Sequence, residues 1–202
     1  MFEAKLSDGS ILKRIVESIK DIVNDVNIDI SPSGIALQAM DSSHVALVSL
    51  SLSQNGFETY RADQSMVLGV NIGNLNKVMK LADNGDSITL QADNEANHLR
   101  VIFENPKTER TTEFNLNLIT IDSENLAIPD TEYQALLTIQ SGEFSKLCKE
   151  LYSISETVNL SCNKEFVQFS VEGEVGSGSV KLNNSEGFSS KDSKMKTSES
   201  PQ

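Results

Sequence analysis

Six stretches of the chain alternate apolar with polar or small residues: VNIDI (26–30), IALQAM (35–40), VALVSLSL (45–52), SITLQA (87–92), LRVIF (99–103) and FNLNLI (114–119). Side chains of a strand point to its two faces in turn. This period of two therefore predicts strands with one buried and one wet face, the habit of antiparallel sheet. Turn-forming residues stand between them at Ser31-Pro32-Ser33-Gly34, Asn55-Gly56, Asn84-Gly85 and Asn105-Pro106.

Three segments break the rhythm. Ile11, Leu12, Ile15, Val16, Ile19, Ile22, Val23 and Val26 follow helical spacing, as do Leu75, Val78, Met79 and Ala82, and again Phe144, Leu147, Cys148 and Leu151. Three amphipathic helices are predicted, each with its charge opposite the apolar stripe. At about 100° per residue, Lys13 and Lys20 fall within roughly 20° of one another. Lys77 and Lys80, and likewise Lys146 and Lys149, are three residues apart and share a face.

Sliding the chain along itself by 132 residues exposes a repeat. Leu12 meets Phe144, Ile15 meets Leu147, Val16 meets Cys148, Ile19 meets Leu151 and Val26 meets Val158. Ile30 then meets Cys162, Ile35 meets Val167, Leu37 meets Phe169 and Ala39 meets Val171. An unbroken helix–strand–strand series implies a duplicated unit. The second copy reads as incomplete. After Val171 only EGEVGSGSVKL is patterned, and the tail from 183 to 202 is polar and expected to be disordered.

Charge changes the picture most. The chain carries 29 acidic and 17 basic residues, a net charge of −12. Residues 11–20, 74–82 and 144–151 nevertheless hold seven basic residues (Lys13, Arg14, Lys20, Lys77, Lys80, Lys146, Lys149) against Glu17 and Glu150. Those helices sum to +5, which leaves −17 on the remainder. An acidic whole excludes a protein coated by nucleic acid over its entire surface, but not one that binds it along a single lined cavity. Taken pair by pair, these lysines could equally be solvated helix faces.

The remaining chemistry is thin. Cys148 and Cys162 sit at apolar positions, which predicts buried thiols in a reducing compartment. No stretch of about 18 apolar residues predicts a membrane span. The two histidines, His44 and His98, and the two cysteines have no zinc spacing, so no metal and no cofactor are expected. DSSH (41–44) offers an acid, hydroxyls and an imidazole, yet neighbours on a strand end rarely point together, and no Gly-x-Ser-x-Gly elbow accompanies them. No catalytic residue is assigned and no enzyme is expected. GEVGSG (173–178) lacks the Gly-Lys-Ser/Thr ending of a phosphate loop, and small residues allowing close strand approach explain it better.

Helix, strands, LQAMDSSHVALVSL (37–50), GFETYRAD (56–63), LGVNIGNLNKVMKLA (68–82) and LAIPDTEY (126–133) follow one another in a distinctive order. From Met1 to about Leu182 the chain resembles the proliferating cell nuclear antigen family of eukaryotic DNA sliding clamps. That resemblance implies an α+β DNA-clamp fold, a duplicated domain of antiparallel sheets with two helices each, the second copy here cut short. The implied parts are an N-terminal domain (1–117), a connector (118–135), a partial C-terminal domain (136–182) and the polar tail (183–202).

The resemblance further implies a nuclear processivity factor: a homotrimeric ring around duplex DNA, with helices lining the hole. Lys13, Arg14, Lys20, Lys77, Lys80, Arg110, Lys146 and Lys149 match its DNA-facing positions. Met40, His44, Val45, Leu47, Leu126, Ile128, Pro129 and Tyr133 match a pocket for peptides carrying a glutamine, an aliphatic residue and two aromatics. Polymerases, including those of translesion synthesis, a flap endonuclease, DNA ligase and the clamp loader are the implied partners. Without the resemblance, Met40, Val45 and Leu47 would be core strand residues and His44 a turn residue. Arg110, Phe114 and Leu116 on one side, and Val175, Gly178 and Leu182 on the other, match the subunit interface. Lys164 matches the ubiquitin acceptor. A chain without the second half of its repeat could instead be a truncated subunit or splice product that binds peptides and closes no ring.

Overall fold

The computed structural model describes residues 1–83, 85–94, 97–122, 137–163 and 166–183. They divide between two compact units, Met1–Ala127 and Ile128–Gln202. The first unit runs β1 (Phe2–Leu6), α1 (Ser10–Ile19), β2 (Asp25–Ser31), β3 (Gly34–Met40) and β4 (Leu47–Ser53), then a 3-10 turn at Gln54–Gly56. It continues through β5 (Thr59–Ala62), β6 (Met66–Asn71), α2 (Ile72–Met79), β7 (Ser87–Ala92), β8 (His98–Asn105) and β9 (Arg110–Asn117). The second unit holds α3 (Ser141–Tyr152), β10 (Asn159–Cys162), β11 (Phe166–Gly173) and β12 (Gly176–Asn183).

Two antiparallel sheets build the first unit, in the orders β4-β3-β2-β6 and β5-β1-β7-β8-β9. The inward side chains of both sheets join those of the helices in one core. Val26, Ile30, Ile35, Leu37, Leu68 and Val70 come from the first sheet, and Phe2, Ile88, Leu99, Val101 and Phe103 from the second. Leu12, Val16 and Ile19 of α1 and Ile72, Leu75, Val78 and Met79 of α2 complete it. Burial of this apolar surface is the main favourable term in folding. The α+β architecture expected from the alternation is therefore present, and it leaves one flank of each helix to solvent.

Local chemistry sets the helix ends. Asn71 is extended, and its Oδ1 accepts the Asn74 N–H at 2.9 Å, which caps α2. Before α1, Asp8 Oδ1 accepts the Ser10 N–H at 2.9 Å, and Gly9 donates its N–H to the Asp86 carbonyl at 3.0 Å. Gly9 has to be a glycine, because a Cβ there would lie 2.4 Å from the Ile88 side chain.

Several expectations from the pattern need correction. The first helical run does not reach Val26. Helix α1 ends at Ile19, and Val26 is the second residue of β2, paired with Val70, as the alternation of VNIDI (26–30) predicts. Its apolar spacing is helical by coincidence, since the core also wants an apolar residue there. Strands β1 (FEAKL) and β5 (TYRA) alternate but are only five and four residues long, and β6 (MVLGVN) does not alternate. In β6, Leu68, Gly69 and Val70 are buried in succession although Val67 is exposed, so burial there does not follow a period of two.

In the second unit a three-stranded sheet, β10-β11-β12, carries a small core of Leu147, Leu151, Val167, Phe169 and Val171. The order helix–strand–strand–strand repeats that of α1, β2, β3 and β4, as the internal repeat requires. The thiols correct the sequence reading, because Cys148 and Cys162 are both exposed. Their counterparts Val16 and Ile30 are buried. Ile30 lies on a strand flanked by β3 and β6, whereas Cys162 lies on an edge strand among the described residues.

Candidate nucleic-acid interface and docking pocket

Helices α1 and α2 lie side by side, and the basic residues occupy two kinds of place on them. Lys13 and Lys20 do not stand opposite the apolar stripe. They flank it and are half-buried. The Lys13 ammonium donates to the Ala82 carbonyl at 2.9 Å, just beyond α2. A cation at that end meets the negative end of the helix dipole, so Lys13 also ties α1 to α2. Arg14, Lys77 and Lys80 are exposed. Arg14 folds back on its own helix, with Nε on the Ser10 carbonyl at 3.2 Å and Nη2 on Ser10 Oγ at 3.0 Å. Lys77 Nζ donates to Asn74 Oδ1 at 3.3 Å.

Arg110 opens β9 and reaches Asp83 Oδ2 at 3.0 Å, with Nε donating to Thr112 Oγ1. Lys13 and Arg110 thus converge on consecutive residues, Ala82 and Asp83, with Lys80 close by in sequence. Lys20 pairs with Asp21. In the second unit Lys146 and Lys149 are exposed on α3, and Lys146 Nζ lies 3.7 Å from Glu150 one turn on. Solvent-exposed pairs of this kind are worth little, so a phosphate can replace the carboxylate at small cost.

The residues matched to a docking pocket lie where β3 passes into β4. Met40 ends β3 half-buried, and Leu47 starts β4 with 38% of its surface exposed. Val45 is 85% exposed and precedes β4, so its reading as a core strand residue fails, whereas Met40 and Leu47 are strand residues outside the core. A pocket of about 350 Å³ is lined by Met40, His44 and Leu47 together with Asp25, Asn27, Gln38, Ile121 and Asp122. The polar wall was missed in the sequence. Register could have found it, because Ile28 pairs with Leu37 and so brings Asn27 beside Gln38. Asn27 Nδ2 also donates to the Ile121 carbonyl at 3.1 Å, which fastens the segment after β9 to the pocket.

The loop between Met40 and Leu47 is held by one carboxylate. Asp41 Oδ1 accepts the N–H groups of Val45 (2.8 Å) and Ala46 (2.7 Å), and Oδ2 accepts the Ser43 N–H at 3.1 Å and the Ser43 hydroxyl. The Ser43 hydroxyl first, and the Ala46 N–H next, hold its carboxyl far below the usual aspartate range. His44 takes a positive φ of 57° in the same loop.

Of the matched interface residues, Phe114 is 42% exposed on β9, which is an edge of its sheet. Leu116, also on β9, has its side chain buried in the core and leaves its backbone to the edge. Val175 is 87% exposed and lies in the turn before β12 rather than on it. Gly178 is on β12, and Leu182 packs against the small core. Leu126, Ile128, Pro129, Tyr133 and Lys164 lie outside the described residues.

Comparison with known proteins identifies the family of the chain. The family model for the proliferating cell nuclear antigen N-terminal domain matches residues 1–126, and that for the C-terminal domain matches residues 127–200. The chain belongs to the proliferating cell nuclear antigen family. The proliferating cell nuclear antigen of Chaetomium thermophilum is 48% identical over 182 residues, which are 90% of this chain and 70% of that one. The C-terminal match runs beyond Leu182, where the patterned sequence ends. As a member of a family of sliding clamps, which are non-enzymatic, the chain is a processivity factor for DNA polymerases. Among the described residues no helix is long and apolar enough to cross a membrane.

Proposed function

We propose that three copies of this chain join head to tail, through edge strands β9 and β12, into a nuclear ring that encircles duplex DNA. Each copy would turn α1, α2 and α3 to the DNA. The observation that carries this reading is the sorting of charge: seven basic residues on three helices or at their C-caps, in a chain whose net charge is −12. Duplex DNA offers a phosphate about every 1.7 Å of axis regardless of sequence, so mobile ammonium groups can pass from one to the next without fixing a register. Arg14, Lys77, Lys80, Lys146 and Lys149 are exposed and suited to that exchange.

Partner proteins, among them polymerases, flap endonuclease, ligase and clamp loader, dock by glutamine/aromatic peptides at the Met40–His44–Leu47 pocket. Met adapts its shape to aromatic rings, which fits this role. Val45, Leu126, Ile128, Pro129 and Tyr133 would extend the pocket, and Lys164 would accept ubiquitin.

Multi-angle light scattering at micromolar concentration tests the ring. We expect the mass of three 22.1 kDa chains. A mass of one chain, with a glutamine/aromatic peptide still bound, would sink the ring and leave a peptide-binding subunit.

A further inference from the structure

We infer that Asp41 is the positioning residue of the docking pocket: its carboxylate folds the 41–46 loop into the one shape that presents His44 and Leu47 to a partner peptide. This rests on the pocket reading above and adds a cause for the pocket's form. Nothing else visible in the loop does that work. Residues 42–47 are all exposed, so no apolar burial holds them. Among the described residues, the loop backbone closes through Asp41 N–H to the Ala46 carbonyl (3.0 Å) and His44 N–H to the Asp41 carbonyl (3.0 Å).

The carboxylate supplies the rest. It gathers three backbone N–H groups and one hydroxyl from Ser43, Val45 and Ala46. Hydrogen bonds to an ionised acceptor are the stronger kind. The N–H groups of Val45 and Ala46, consecutive in the chain, converge on one oxygen, Oδ1. That turns the chain at Val45 and leaves the Val45 side chain outward. It also accounts for His44, whose left-handed φ of 57° is unfavourable for a residue with a Cβ and needs its surroundings to hold it. On either side of the loop, Met40 and Leu47 pair across β3 and β4. The loop therefore starts and ends at the pocket rim, and any loosening is felt there.

An unheld loop must lose its freedom when a peptide binds, at an entropy cost of order 1–2 kcal/mol for each residue fixed. A loop held by Asp41 is already ordered before the partner arrives. The charge matters as well as the shape. Asp41→Asn keeps an oxygen for Val45 and Ala46, but puts an NH2 group where Oδ2 accepts from Ser43.

The test uses the full chain and a fluorescein-labelled peptide carrying glutamine, an aliphatic residue and two aromatics. Fluorescence anisotropy gives the dissociation constant, and amide NMR shifts of Ser43, Val45 and Ala46 report loop order. For Asp41→Ala we expect binding at least about tenfold weaker, displaced loop amides, and unmoved amides at core residues Val70 and Val101. Asp41→Asn should fall between Asp41→Ala and wild type in both readouts. Unchanged binding by Asp41→Ala overturns the inference, as does weaker binding with the loop amides in place. If the wild-type chain itself leaves the peptide unbound while Asp41→Ala still disorders the loop, the pocket reading is what fails. The positioning role then fails with it.

Discussion

Lys13 and Lys77 carry the same charge on neighbouring helices and do different things. Lys77 is exposed and, among the described residues, bonds only Asn74, three residues before it. Lys13 spans from α1 to the carbonyl of Ala82 and lies half-buried. Charge reversal at Lys77 should therefore leave the urea midpoint within experimental error and weaken association with DNA. The salt slope of log K should fall by roughly 0.9 for each phosphate that is no longer neutralised. Lys13→Ala should weaken DNA association too, and should also lower unfolding free energy by about 1 kcal/mol through the missing bond. If the two variants proved equal in stability, the tie between α1 and α2 would be unimportant. Both residues were legible in the sequence as basic positions on helices. Which one doubles as a strut was not, since Ala82 lies 69 residues away.

At the scale of elements, the segment after β9 governs one wall of the pocket. The Ile119 N–H donates to the Gly69 carbonyl at 2.9 Å, so residues 118–121 run against the outer edge of β6. Gly69 permits this, because a Cβ there would lie 2.0 Å from the Ile119 carbonyl oxygen. Ile121 and Asp122, two and three residues on, line the pocket. Gly69→Ala should push that segment off the sheet. The expected loss is about 1–3 kcal/mol by urea denaturation, with weaker peptide binding because Ile121 moves away. Peptide affinity equal to wild type would show that the wall is held elsewhere. Alternation in FNLNLI located β9, but it suggested a strand continuing to 119, whereas β9 ends at Asn117. Beyond that point the chain leaves β8 for β6, and periodicity does not record a change of partner.

At the scale of the whole molecule, the proposed ring depends on sheet edges that are unpaired among the described residues. Strand β9 bonds β8 on one side and is the edge of the five-stranded sheet. Phe114 stands there 42% exposed, an apolar side chain awaiting a neighbour. Phe114→Asp should raise the concentration at which the trimer dissociates by tenfold or more, read by sedimentation, because it places a charge in an apolar interface. Each chain should keep its unfolding midpoint, since the side chain lies outside the core. An unaltered trimer would remove β9 from the interface.

The alternation of period two, the three amphipathic stretches and the shift of 132 residues are properties of the chain order. They determined antiparallel sheets, helices and duplication, because backbone geometry maps a spacing of apolar residues directly onto a face. Charge sorting was equally legible, since it requires only counting along each helix. What tertiary structure decided is burial. Ile35 and Val167 are repeat partners and both are 7% exposed, on strands flanked by neighbours in their sheets. Ile30 and Cys162 are repeat partners too, yet one is buried and the other exposed. An apolar position in a sequence states only that a side chain can be withdrawn from water. Whether it is withdrawn depends on what packs across from it, and those atoms come from distant parts of the chain.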